Sequence, residues 1–218
     1  MDIRTTLLAL PIVLLVLGPA HQSASVRHFN DDRAGAQPSG FVLASMRQPS
    51  PGMWTVERTA ANGYLLHAGN ATHAGGFSLA MAPHPTPADV LVSARLRLTG
   101  GSRAGGVVWN YVDVDHYSAA VLDLLRGELI WFRVVDGNKV RVEIEDDLEL
   151  DGEAWHTLKV ISDGSRVTVW LGGIRVLEDD RRGARSAVAV WAGVLAAGDA
   201  EAQFDDLRIE AAPDRRRR

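Results

Sequence analysis

Residues 104–171 read AGGVVWNYVDVDHYSAAVLDLLRGELIWFRVVDGNKVRVEIEDDLELDGEAWHTLKVISDGSRVTVWL. Short runs rich in Val, Ile, Leu and aromatics alternate here with Asp-Gly, Arg-Gly and Asp-x-Asp punctuation, the pattern of strands joined by tight turns. Gly105–Val112 forms one strand and breaks at Asp113-Val114-Asp115. His116–Leu124 returns, and Arg126-Gly127 turns the chain into Glu128–Val135. Asp136-Gly137-Asn138 is a hairpin signal, because Asp and Gly accept the positive φ that such turns require. Lys139–Glu145 then sets Val140, Val142 and Ile144 against Arg141, Glu143 and Glu145. Trp155–Ser162 and Arg166–Leu171 close the run, joined by Asp163-Gly164.

The same rhythm continues on both sides. Upstream lie Phe41–Met46, Met53–Arg58, Gly63–Ala68, Gly76–Met81 and Val90–Leu98; Ala82–Pro87 carries three prolines and is a loop. Downstream lie Ile174–Glu178, Ala187–Leu195 and Ala202–Glu210. No segment beyond the N-terminal region shows a helical period. Roughly thirteen to fifteen short strands in one domain exceed what a single open sheet carries without curling or splitting. The expectation is an all-β fold, a two-sheet antiparallel jelly-roll sandwich. The absence of a fixed-period repeat argues against a propeller.

The N-terminus reads as an export signal. Arg4 precedes an apolar stretch, Leu7–Leu17, and Gly18-Pro19-Ala20 supplies the small residues of a cleavage site. The run is shorter than the ~20 apolar residues of a membrane span. The expected organisation is a signal peptide over residues 1–20, with cleavage as late as residue 24, a sandwich over 28–210, and a disordered basic tail over 211–218. The expected location is secreted or periplasmic, without stable membrane insertion after cleavage. The 218 residues contain no Cys and carry a formal charge of −4. An exported domain without disulfides depends on a large core, or on a metal. The charge gives no nucleic-acid footprint.

Candidate chemistry falls into three groups. Aromatics come first, because Trp and Tyr offer flat apolar faces with a polar handle to a sugar ring. Taking Val167, Val169 and Leu171 as core puts Trp170 on the other face. Taking Ile130, Phe132 and Val134 as core turns Trp131 and Arg133 outward, and the same reasoning leaves Trp191 outside. Trp54 and Trp155 read as scaffold. The turn Asn110, Tyr111, Asp113, Asp115, His116 and Tyr117, preceded by Trp109, mixes amide, carboxylates, imidazole and phenols, the groups that sugar hydroxyls need; turn Asp residues also cap backbone amides. Second, Asp31, Asp32, Asp205 and Asp206 meet if the first and last strands pair, and calcium takes six to eight oxygen ligands. Third, Glu143, Glu145 and Glu149 share a strand face if that strand continues, and a retaining glycosidase needs two carboxyls ~5–5.5 Å apart. The plain reading of that run is an acidic edge that discourages edge pairing.

Taken in order, several motifs resemble the concanavalin A-like lectin/glucanase superfamily. Within it the chain is most similar to laminin-G-like domains and to "DUF1080" (3-keto-disaccharide hydrolase-type) domains. The motifs are Phe29-Asn30-Asp31-Asp32, Trp54-Thr55-Val56, Gly105-Gly106-Val107-Val108-Trp109-Asn110-Tyr111, Trp155–Val160, Gly164–Val169 and Phe204-Asp205-Asp206-Leu207. Asn110 stands where many relatives carry Arg, so that contact is not carried over. The resemblance implies a secreted sandwich that binds carbohydrate or another extracellular ligand without catalysis. It also admits a glycoside-cleaving enzyme, or an extracellular protein-interaction or structural module.

Overall fold

The computed structural model describes residues 25–47, 50, 52–69, 76–152, 154–180 and 190–213. The expected signal peptide and the arginines of the basic tail lie outside the described residues. Fifteen strands follow one another: β1 Ser25–Arg27, β2 Val42–Met46, β3 Trp54–Arg58, β4 Gly63–Ala68, β5 Phe77–Met81, β6 Val90–Gly100, β7 Ala104–Asp113, β8 His116–Asp123, β9 Glu128–Val135, β10 Asn138–Glu145, β11 His156–Ser162, β12 Val167–Leu171, β13 Ile174–Asp179, β14 Trp191–Ala197 and β15 Glu201–Ala211.

They form two antiparallel sheets. One has eight strands in the order β13-β12-β11-β6-β15-β4-β3, with β1 added along β15; the other has seven, β10-β9-β8-β7-β14-β5-β2. The expected sandwich is therefore present. Its first and last strands pair, Val26 opposite Arg208.

Strand alternation builds the core between the sheets. Val92, Ala94, Leu96 and Leu98 of β6, Leu158 and Val160 of β11, and Phe204 of β15 face Val107, Trp109, Ala120, Leu122, Leu129 and Trp131 of the other sheet. Each buried Leu, Val or Phe contributes on the order of 1.5–3 kcal/mol. A core of this size suits a Cys-free chain.

A second apolar cluster lies on the outer face of the seven-stranded sheet: Met46, Phe77, Leu79, Met81, Val108, Tyr111, Tyr117, Phe132, Val134 and Leu195 among others. This sheet is apolar on both faces, and that corrects one expectation. Ile130, Phe132 and Val134 belong to the outer cluster, and Trp131 points between the sheets beside Leu129. Alternation cannot tell the core face from the outer face when both are apolar.

Two bulges redirect side chains. Asn110 and Asp206 both have φ of 50°. Opposite each, the partner strand advances one residue fewer: Val108 pairs with Gly193 and Tyr111 with Trp191, while Asp205 pairs with Arg95 and Arg208 with Ser93. The extra residue restarts the alternation. Trp109 stays inward and Tyr111 turns outward; Phe204 and Leu207 both stay inward.

Candidate functional site

The centre of the outer apolar face is closed, with Leu79, Met81, Val108 and Leu195 at 0% exposure. Accessible chemistry lies at one end of the sheet. There the β7–β8 and β9–β10 turns meet the Arg47 turn that follows β2. Arg47 Nη2 donates to the Gly137 carbonyl at 3.3 Å, and Gly137 N donates to the Asp115 carbonyl at 3.2 Å.

His116 is the centre of this end. Its Nδ1 lies 2.9 Å from Asp113 Oδ1 and its Nε2 lies 3.1 Å from Asp136 Oδ1, so one imidazole ties the two hairpin tips together. Hydrogen bonds that the ring donates to the Asp113 and Asp136 carboxylates raise the His116 pKa above its ordinary value. Slight desolvation pushes the Asp113 carboxyl up, but the hydrogen bonds from His116 and from the Asp115 and His116 amides outweigh it, and its net shift is downward.

Aromatic side chains adjoin the cluster: Trp191 is partly exposed, while Tyr111 and Tyr117 are 9% and 3% exposed. Tyr111 and Tyr117 rings are 6.2 Å apart, and Trp191 sits directly opposite Tyr111 in the ladder. Burial, then the charges of Asp113 and Asp115, push the Tyr111 phenol up. Burial pushes the Tyr117 phenol up further, and its hydroxyl donates to Met46 Sδ at 2.9 Å. Behind them the Lys139 ammonium lies 4.2 Å from the Phe132 ring centre and 5.3 Å from that of Phe77.

The structure sorts the sequence candidates. Tyr111, Asp113, Asp115, His116, Tyr117 and Trp191 gather at this end, with Asn110 as the bulge that makes the arrangement. Trp109 and Trp131 do not belong: they are 1% and 4% exposed and pack 6.5 Å apart between the sheets. Trp170 faces outward as expected, but from the eight-stranded sheet, so it shares no groove with Trp191. Trp155 lies against Arg95, whose guanidinium is 5.0 Å from its ring; both belong to the outer side of the eight-stranded sheet. Sequence reasoning missed Arg47 and the role of Asp136. Both hairpin tips follow from the strand breaks at Asp113 and Asp136, and antiparallel order alone puts them at the same end of the sheet.

The proposed carboxylate strand does not form. β10 ends at Glu145, and Asp147 takes φ of 55°, which turns the chain before Glu149. Glu143 and Glu145 are exposed on an edge strand.

The four aspartates proposed for calcium do not converge either. Arg27 Nη2 donates to both oxygens of Asp32 at 2.6 and 2.7 Å, and Asp31 is exposed. Asp205 and Asp206 meet His28 instead, with ligand atoms within 4.8 Å of one another. Their oxygens are already taken. Asn62 Nδ2 donates to Asp205 at 2.6 Å, His28 Nδ1 lies 2.6 Å from Asp206, and Arg95 donates to Asp206 at 3.2 Å. An oxygen-seeking dication finds one nitrogen ligand and a guanidinium here, so these residues do not fit calcium.

No family model and no curated protein matches this chain. Solved structures do match its fold. A carbohydrate-binding module, CBM66 of Bacillus subtilis, is 18% identical with a TM-score of 0.59, covering 79% of this chain and 96% of that one. Domain 4 of AbnA, an extracellular arabinanase of Geobacillus stearothermophilus solved with arabinotriose, is 13% identical with a TM-score of 0.58, covering 87% and 93%. The carbohydrate recognition domain of Emp47p is 12% identical with a TM-score of 0.59, covering 87% and 97%. The chain therefore has the β-sandwich fold seen in carbohydrate-binding and lectin-like domains.

Proposed function

We propose that this chain is an exported carbohydrate-binding module that holds its ligand at the end of the seven-stranded sheet. The observation that carries the reading is Tyr111 opposite Trp191, next to the Asp113–His116–Asp136 chain. Aromatic faces take the apolar side of a sugar ring, and carboxylates and imidazole pair with its hydroxyls. The fold likeness to two sugar-binding modules and a recognition domain supports the same class. The resemblance to laminin-G-like and 3-keto-disaccharide hydrolase-type domains is part of this proposal, as is export to the periplasm or exterior. The exposed edge position of Glu143 and Glu145 favours binding over glycoside cleavage.

A glycan array tests the reading. The expected outcome is a defined set of bound glycans, lost in Tyr111→Ala and His116→Ala variants that keep the native melting temperature. Binding that survives both substitutions would move the ligand away from this end.

A further inference from the structure

The outer face of the eight-stranded sheet has its own aromatic centre, remote from the seven-stranded face. The ladder registers align one row across five strands: Arg175 of β13 opposite Trp170, Trp170 opposite Lys159, Lys159 opposite Ser93, and Ser93 opposite Arg208 of β15. Val169, Leu158, Val160, Ala94, Val92 and Leu207 face the core, so the alternating residues of this row face outward. The row holds three cations, an indole and a hydroxyl, and no carboxylate.

The charges in that row are not equivalent. Arg175 donates to Glu178 at 2.6 Å and Arg208 to Glu210 at 2.7 Å, both carboxylates of the next row. Among the described residues Lys159 has no such partner; its ammonium rests 4.3 Å from the centre of the Trp170 ring. Exposed cation–π contacts are weak and are given up readily to a carboxylate. One row away on the same face, Thr168 is 1% exposed and, among the described residues, its Oγ1 lacks a hydrogen-bond partner. An unsatisfied hydroxyl destabilises the free protein, and a ligand or water arriving at this face relieves it.

We propose that this face is a second binding site, for a sugar bearing a carboxylate. The ring of a uronic acid unit stacks on Trp170. Its carboxylate takes the Lys159 ammonium from the indole, and Ser93 and Thr168 meet its hydroxyls. The neighbouring Glu178 and Glu210 keep the rest of the face near neutral, so a single acidic sugar fits better than a densely charged polymer such as a nucleic acid. The inference is independent of the seven-stranded face, and Tyr111 separates the two.

The test is calorimetric titration with trigalacturonic acid and with neutral galactotriose, at low and high salt. The expected result is saturable, salt-weakened binding of the acid, reduced about tenfold or more by Lys159→Met and Trp170→Ala and unchanged by Tyr111→Ala. Lys159→Met leaves the indole and removes only the charge, so it also controls for folding. The site is overturned by no saturable binding of the acid, by equal binding in Lys159→Met, or by loss only in Tyr111→Ala.

Discussion

Tyr111 stands directly across the ladder from Trp191, on the outer face of the seven-stranded sheet, because Asn110 inserts one extra residue at φ 50°. Without that bulge Tyr111 would follow Trp109 inward. Asn accepts the left-handed region better than most residues, and a β-branched side chain does not. Asn110→Val is therefore expected to destabilise the fold by about 1–2 kcal/mol and to weaken glycan binding. Asn110→Gly is expected to retain both. Urea unfolding with a binding assay on each variant checks this; a neutral Asn110→Val would show that the bulge does not depend on its residue.

His116 makes the hairpin tips sensitive to pH. Asp113 and Asp136 raise its pKa above the ordinary 6.5. A raised folded value means the imidazolium contact stabilises fully below 6.5 and is lost as pH rises through the folded value. Asp136→Asn removes one of the two carboxylates and is expected to move the His116 titration downward. Proton NMR of the imidazole across neutral pH reads this directly, and an unchanged midpoint would mean that Asp136 does not hold the ring in solution.

Trp131 and Trp191 show where the sequence was legible and where it was not. Most strands and the turns between them follow from alternation and turn chemistry; β1 and its pairing with β15 do not, since the pairing enters the sequence reading only as a condition. Trp191 is read as outward by setting Val188, Val190 and Ala192 toward the core, and it does lie on the outer side, with Ala192, Val194 and Ala196 inward and Leu195 outward. β9 has Leu129 and Trp131 on one side and Ile130 and Phe132 on the other, so its hydrophobic pattern carries no direction. The decisive fact, a second apolar layer on the outer face, is tertiary. Trp131→Ala empties a space between the sheets and is expected to cost about 3–5 kcal/mol. Trp191→Ala, at the partly exposed end, is expected to cost much less and to act on binding. Equal melting temperatures for the two variants would contradict the assigned register.

The carboxylates around Asp206 bear on the expectation of calcium. Asp205 and Asp206 are legible as a neighbouring pair, but their partners Asn62, Arg95 and His28 are not, because each comes from a different strand or turn. With those partners in place, adding calcium or a chelator is expected to leave the melting temperature unchanged. A saturable rise with calcium would mean that Arg95 and His28 give way to the ion.

His67 titrates in the opposite sense to His116. It is 0% exposed, its ring lies 4.8 Å from that of Trp54, and its Nδ1 donates to the Ala200 carbonyl at 2.8 Å. That bond leaves Nε2 as a buried lone pair without a partner among the described residues, as is the Ser78 hydroxyl. A β-carbon on Gly52 would come within 2.6 Å of Nε2 and 3.2 Å of Ser78 Oγ, so the two orphan atoms border the same small space. Burial lowers the His67 pKa below 6.5, against the Ala200 hydrogen bond and the Asp199 charge, which raise it. A depressed folded value means that stability is full above 6.5 and declines as pH falls, until pH passes below the folded value. The wild-type melting temperature is thus expected to fall on mild acidification. His67→Leu removes the titration at the expense of leaving the Ala200 carbonyl unpaired. That variant is expected to be less stable at neutral pH yet flatter between neutral and mildly acidic pH. The slope of melting temperature against pH, compared between wild type and variant, decides it: parallel slopes would place the acid sensitivity elsewhere.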